Sequence, residues 1–208
     1  MAITLYHHPY SRAANVVWML EEAGVPYSLT FVDILAGEQK SAPMVALNPM
    51  GKLPVLVDDG LVVTESAAIG LYLADRYAMG RLAPRVEDPI RGTYLRWSLF
   101  APSVIEPGTM AKAALWQYKP GQAGWGTYDE MLQTIESAIE DREYLLGTQF
   151  SMADVVFGGT LRFMLKFQMI EPRPAFVSYT DRLAARAAFQ IAEACNAEVM
   201  AAHGINPG

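Results

Sequence analysis

Cysteine is nearly absent. Among 208 residues only Cys195 carries a thiol, so no disulfide can close within the chain, which fits a reducing compartment. Cys195 lies in a helical run and reads as a buried structural residue. Cationic side chains are also scarce: 16 Lys and Arg stand against 22 Asp and Glu, a formal net charge of −6. That balance argues against a nucleic-acid partner, because phosphate backbones call for Lys/Arg stripes. There are three histidines, and no Cys/His/Asp cluster has ligand spacing. His7 and His8 are adjacent on an extended segment, face opposite ways and read as turn residues, so no metal is expected. No run approaches the ~18 apolar residues of a membrane span, and the opening MAITLYHHPYSR has no basic leader ahead of an apolar stretch. A cytoplasmic protein with no membrane contact is expected.

What is present is material for a core: 52% of residues are apolar and 18% charged, the profile of one globular domain or two small ones. Residues 2–6 read as a short strand. Residues 13–23 read as a helix, with Ala13, Val16, Val17, Leu20 and Ala23 on one face, ended by Gly24 and Pro26. Residues 27–32 alternate like a second strand, parallel to the first because a helix intervenes. A polar stretch, GEQK, follows. Residues 54–58 and 61–64 flank Asp59-Gly60, a hairpin signal, and residues 65–77 read as a helix. Beyond Gly80 only helices are expected. Asp88-Pro89 opens one over 89–116, Thr127 and Glu130 form a capping box, and Ser151 and Asp154 form another that Phe150 and Val155 can staple. Residues 175–202 hold one or two more. The expected architecture is an α/β domain over residues 1–80 and an all-α helical-bundle domain over 81–208, with a small-molecule site in the cleft between them.

Three stretches point to chemistry. In LYHHPYSRAANVVWMLEEAG an extended segment turns through Pro9, Tyr10, Ser11 and Arg12 into a helix, whose first N–H groups face whatever lies ahead. In NPMGKLPVL a proline heads a strand. It is either an ordinary first-position proline, which base rates favour, or a cis Leu53–Pro54 that would offer the backbone of Leu53 or Val55 to an extended peptide. At the strand-to-helix junction TESAAI, Glu65 suits an ammonium and Ser66 a carboxylate, the two ends of a zwitterion; helix capping alone is an equal reading.

Other residues read more plainly. Tyr94, Trp97 and Phe100 form a helical stripe that is mostly core, and Phe163 and Phe167 read as a core pair. Trp116, Tyr118 and Trp125 surround a loop and are better pocket candidates. Glu21 and Glu22 read as a solvated helix face.

SRAANVVWMLEEAGVPY, GEQKS, NPMGKLPVL, ESAAIGLYLADRY, the Ser151–Asp154 box and ARAAFQIA, in this order and spacing, resemble the cytosolic glutathione S-transferase family, specifically a serine-type, bacterial/fungal-like member. The resemblance covers most of the chain. It implies a thioredoxin-like first domain that binds glutathione and a helical second domain that supplies most of the pocket for a small hydrophobic electrophile. By position, Val55 after a cis-Pro54, with Leu53, would pair with the cysteinyl backbone. Glu65 and Ser66 would hold the γ-glutamyl end. Lys52 and Gln39, with Lys40 as alternate, would hold the glycyl end. Gln39 departs from the histidine of several related classes and gives a weaker, neutral donor. Redox members place a cysteine in the first turn; Ser11 stands near it here and would donate a hydrogen bond to the thiolate. Tyr6, where tyrosine-type classes carry their phenol, is the alternative. Tyr10, Arg12, Phe100 and Trp116 are candidates for the electrophile pocket, and Met110, Met164 and Met169 are possible further members. The resemblance further implies a detoxifying transferase that forms a homodimer. A non-catalytic binder and a glutathione-dependent peroxidase are the other functions open on this fold.

Overall fold

A computed structural model describes residues 2–206. The expected order appears at the start of the chain: β1 (Ile3–His7), α1 (Ala13–Ala23), β2 (Tyr27–Phe31), β3 (Val55–Asp58), β4 (Leu61–Thr64) and α3 (Ser66–Tyr77). Helix α1 stops where Gly24 takes the left-handed conformation, φ 70°, and returns its N–H to Leu20 and Glu21. Asp59 and Gly60 both have positive φ, 48° and 89°, as the tight hairpin between β3 and β4 requires. The sheet runs β2-β1-β3-β4. β1 is parallel to β2, with His7 opposite Phe31; β3 is antiparallel to both β1 and β4, so Val55 faces Tyr6 and Thr64.

The polar stretch after β2 holds more structure than its sequence announces. Glu38–Lys40 form a 3-10 turn and Ala42–Leu47 a short helix, α2. Met44 of α2 packs with Val32 and Val55, and Tyr6, Leu47 and Leu53 close that cluster. This covers one face of the sheet. Helix α1 packs against α3 and against a helix from the far end of the chain, α9 (Ala187–Ala202).

That last contact revises the division of the chain. Residues 1–78 and 186–208 form one compact unit, and 79–185 form the other. The C-terminal helix, expected in the helical domain, returns to the first unit instead. Its contacts explain why. Arg186 donates twice to the Glu22 carboxylate, at 2.6 and 2.9 Å, and the Trp18 indole donates to it at 3.0 Å. Trp18 meets Phe189 edge-on at 5.1 Å. Asn196 accepts from His7 Nε2 at 2.7 Å and donates to the Ala14 carbonyl. Glu22 is therefore buried and ion-paired, not part of a solvated face, and α1 is buried on Trp18, Met19 and Glu22 as well as on its expected stripe.

In the second unit the helix expected over 89–116 is broken. α4 (Arg91–Phe100) passes through a π-helical segment, Ala101–Ile105, into α5 (Glu106–Ala113). Pro102 and Pro107 lack the N–H that an unbroken α-helix needs. α6 (Tyr128–Ile139), α7 (Met152–Lys166) and α8 (Pro174–Ala184) complete the unit. Both capping boxes form. Asp154, fully buried, accepts from Leu145 N–H (2.8 Å), Tyr179 OH (2.9 Å), Ser151 N–H (2.9 Å) and Ser151 OH (3.0 Å). Gly158 lets α8 approach α7: a Cβ there would lie 2.1 Å from Leu183 Cδ1. Tyr94 and Trp97 are core, as their stripe implies, but Phe167 is 53% exposed while it packs on Phe163 at 4.5 Å. Among the described residues no helix is long and apolar enough to cross a membrane.

Candidate active site

The strand directions gather the candidate residues of the first unit at one end of the sheet. β1 and β2 finish there, β3 begins there and β4 finishes there. The turn carrying Ser11 follows β1, the segment carrying Gln39 and Lys40 follows β2, Leu53 and Pro54 precede β3, and Glu65 and Ser66 follow β4. Helices α1 and α3 both start at this end, so the positive ends of two helix dipoles point into it.

Each segment is held in a definite way. The Leu53–Pro54 peptide is cis. Val55 opens β3 between Tyr6 and Thr64, and Leu53 lies just outside the ladder. Asn48, which sequence reasoning passed over, is buried and organises the preceding loop: its side chain accepts from Met50 N–H (3.1 Å) and donates to the Lys52 carbonyl (2.9 Å). Lys40 Nζ donates to the Met50 carbonyl at 2.8 Å. Gly51, φ 55°, permits this approach, since a Cβ would meet Lys40 Cδ at 2.7 Å. Glu65 is exposed and sits at φ 66°, ψ 118°. That is a costly conformation for a residue with a Cβ, of order 1–3 kcal/mol, and such strain clusters where a ligand is held.

The first turn is tightest. Ser11 Oγ donates to the His8 carbonyl at 2.8 Å and accepts from Ala13 N–H at 3.1 Å; Ser11 N–H also goes to the His8 carbonyl, at 2.9 Å. The serine hydroxyl thus caps α1 and lies half-buried in front of it.

Family models for the glutathione S-transferase N-terminal domain and C-terminal domain match residues 1–75 and 112–182. Glutathione S-transferase hmp2 of Hypomyces subiculosus is 32% identical over 171 residues, 74% of this chain and 79% of that protein. Glutathione S-transferase 2 of Schizosaccharomyces pombe is 30% identical over 176 residues, 74% and 72% of the two chains. The chain belongs to the glutathione S-transferase family. Among solved structures, a glutathione transferase of Phanerochaete chrysosporium in complex with oxidized glutathione superposes with a TM-score of 0.79 at 26% identity, over 95% of this chain and 97% of that one. A glutathione transferase of Methylococcus capsulatus superposes with 0.76 at 27% identity, over 94% and 98%. The first unit's four-stranded sheet with helices, and the all-helical second unit, are the architecture of this family.

Within the transferase fold the remaining candidates fall in different surroundings. Tyr6 is half-buried in the cluster with Val32, Met44, Leu53 and Val55. Tyr10 is 40% exposed and donates its hydroxyl to the Asn206 carbonyl. Lys52 is exposed, while Gln39 keeps its Oε1 buried with no donor among the described residues. In the helical unit, Phe100 stacks edge-on to Trp97 at 5.3 Å and Trp116 is 55% exposed. Met110 is exposed and Met164 buried. Cys195 is only half-buried, and burial raises its thiol pKa, which disfavours the thiolate. No group of three or more His, Cys, Asp or Glu among the described residues is arranged to hold a metal ion.

His7 closes β1 and His8 opens the turn, and both are fully buried. Burial, helped by the charge of His8 and opposed by the Asn196 hydrogen bond, brings the His7 pKa down to about 4. His8 is also lowered, by burial and by His203, against Asp33. Nothing in the sequence around them signals this, because the burial comes from α9 and β2.

Proposed function

We propose that this chain is a glutathione transferase that binds glutathione at the strand-end site and activates its thiol through Ser11. The observation that carries the reading is the convergence there of the Ser11 turn, the cis-proline segment and the Glu65–Ser66 junction. Val55 and Leu53 would take the cysteinyl backbone, Glu65 and Ser66 the γ-glutamyl end, and Lys52, Gln39 and Lys40 the glycyl carboxylate. Lys40 would have to leave the Met50 carbonyl to do so.

Ser11 must likewise rotate its hydroxyl hydrogen from the His8 carbonyl to the sulfur. A hydrogen bond to an anion contributes about 1.5–3 kcal/mol, or about 1–2 pKa units. That brings a thiol from ~8.5 to roughly 6.5–7.5 and makes a large share of it thiolate at neutral pH. Carbon–sulfur bond formation then expels the leaving group of an apolar electrophile, with Tyr10 and Arg12 as the candidate contacts from the first unit. The same reading makes the protein a cytoplasmic homodimer that disposes of reactive electrophiles; light scattering at working concentration checks the dimer.

The deciding experiment is a pH titration of the ultraviolet thiolate band of bound glutathione in wild type and Ser11→Ala. A wild-type pKa well below that of free glutathione, lost in the variant, supports Ser11. A shift that survives the substitution removes Ser11 and makes Tyr6 the next residue to test. Failure of glutathione to bind overturns the transferase reading.

A further inference from the structure

We propose that His8 is a positioning residue: its ring Nδ1 and its carbonyl together set the turn from which Ser11 meets the thiolate. The proposal rests on the reading of Ser11 given above. Pro9 has no N–H, and the next two amides of the turn, Tyr10 and Ser11, both go to His8. Tyr10 N–H donates to His8 Nδ1 at 3.1 Å, and Ser11 N–H to the His8 carbonyl at 2.9 Å. The first of these is the bond that an Asn or Asp side chain makes two residues ahead of itself in an Asx-turn. It requires a bare lone pair on Nδ1, so the ring is neutral with its proton on Nε2. Nε2 is buried and has no partner among the described residues.

The ring is fixed on its other sides. Phe31 packs on it at 5.4 Å and Tyr10 at 5.7 Å, and Phe31 itself stacks on His203 at 3.6 Å. When Ser11 turns its hydroxyl toward a sulfur, the two amide bonds to His8 remain, and they decide where Oγ stands. Protonation of His8 reverses the logic. Nδ1 becomes a donor facing the Tyr10 N–H, and the turn loses one of its two anchors on His8. The charged and titratable groups facing the ring are the Tyr10 phenol, Asp33, which favours the imidazolium, and His203 and His7, which oppose it. Burial is the largest influence: it opposes the imidazolium and lowers the His8 pKa from the ordinary histidine value.

The test compares His8→Asn, whose Oδ1 replaces Nδ1 as acceptor, with His8→Leu, which removes the acceptor, beside Ser11→Ala. Readouts are the thiol pKa of bound glutathione, kcat and KM toward an activated aryl halide, and the Tyr10 amide resonance of the ligand-free proteins against pH. Expected are a thiol pKa in His8→Asn like that of wild type, and in His8→Leu a pKa raised by about one unit with kcat about tenfold lower and KM for glutathione little changed. The wild-type Tyr10 amide should titrate on the acid side of neutrality, and that titration should vanish in His8→Asn. If Ser11→Ala loses the thiol shift while His8→Leu keeps it, Ser11 stands and the His8 proposal is overturned. If Ser11→Ala keeps the shift, the Ser11 reading fails, and the His8 role fails with it even where His8→Leu is impaired. A loss in His8→Asn equal to that in His8→Leu, or a wild-type Tyr10 amide indifferent to pH, also overturns the proposal, and the latter needs no variant to fold.

Discussion

Replacing His7 by glutamine should remove a specific sensitivity to acid. The native ring is buried with a pKa of about 4, whereas in the unfolded chain it titrates near its ordinary 6.5. Below pH 6.5 the unfolded state takes up a proton that the native state refuses. Stability from this group is therefore complete above about 6.5 and declines as pH falls toward about 4. Integrating the linkage relation from about pH 7 to about 4.5 gives a loss of about 2 kcal/mol. The glutamine amide of the variant would keep a side-chain N–H for Asn196, which His7 Nε2 holds at 2.7 Å, but it cannot titrate. Urea unfolding of both proteins at several pH values is the assay. The wild-type curve should fall below the variant's by that amount on going to about pH 4.5, with equal m-values. Parallel stability–pH curves would refute the argument, since they would mean that the buried ring ionises as easily as a free one.

Two further outcomes are expected. Asp154→Asn turns one of two accepting oxygens into a donor that faces existing donors; at about 1–3 kcal/mol for each buried group left unsatisfied, the urea midpoint should drop by the equivalent of about 2–4 kcal/mol, and a change under about 1 kcal/mol would contradict the bonding seen. Glu65→Gly relieves backbone strain of order 1–3 kcal/mol against a glycine entropy cost of about 0.5–1, so the ligand-free protein should gain up to about 2 kcal/mol while calorimetry shows weaker glutathione binding; a less stable apo protein would count against strain at this position.

The parts of the fold that depend on neighbours in sequence were legible. Alternation marked β2, Asp59-Gly60 marked the hairpin, and Thr127/Glu130 and Ser151/Asp154 marked two helix starts, because each is decided within a few residues. Helix α2 was missed because six residues barely exceed one turn and show no period. The break after Phe100 was missed because the apolar stripe runs on past Pro102. Glu22 looked like a surface charge because its partner, Arg186, stands 164 positions away. The same limit applies at the site. The Ser11 turn and the Glu65–Ser66 junction carry residue types that declare themselves. The burial of His8 arises from distant segments that no local pattern reports, whereas the Asn48 brace is local, to Met50 and Lys52, and no hydrophobic period marks it.

The first unit is assembled from both ends of the chain, and this has a consequence for biosynthesis. When residues 1–78 have left the ribosome, Trp18, Glu22 and His7 still lack Phe189, Arg186 and Asn196. The 107 residues of the second unit, 79–185, are made in between. At roughly 5–20 residues per second that interval is about 5–20 s. Throughout it the nascent chain presents α1 without its α9 cover, the Glu22 carboxylate still awaiting Arg186, while the helical unit has everything it needs to close first. Chaperone capture and proteolytic nicking of the growing chain should therefore concentrate on the earliest-made unit and end when α9 arrives.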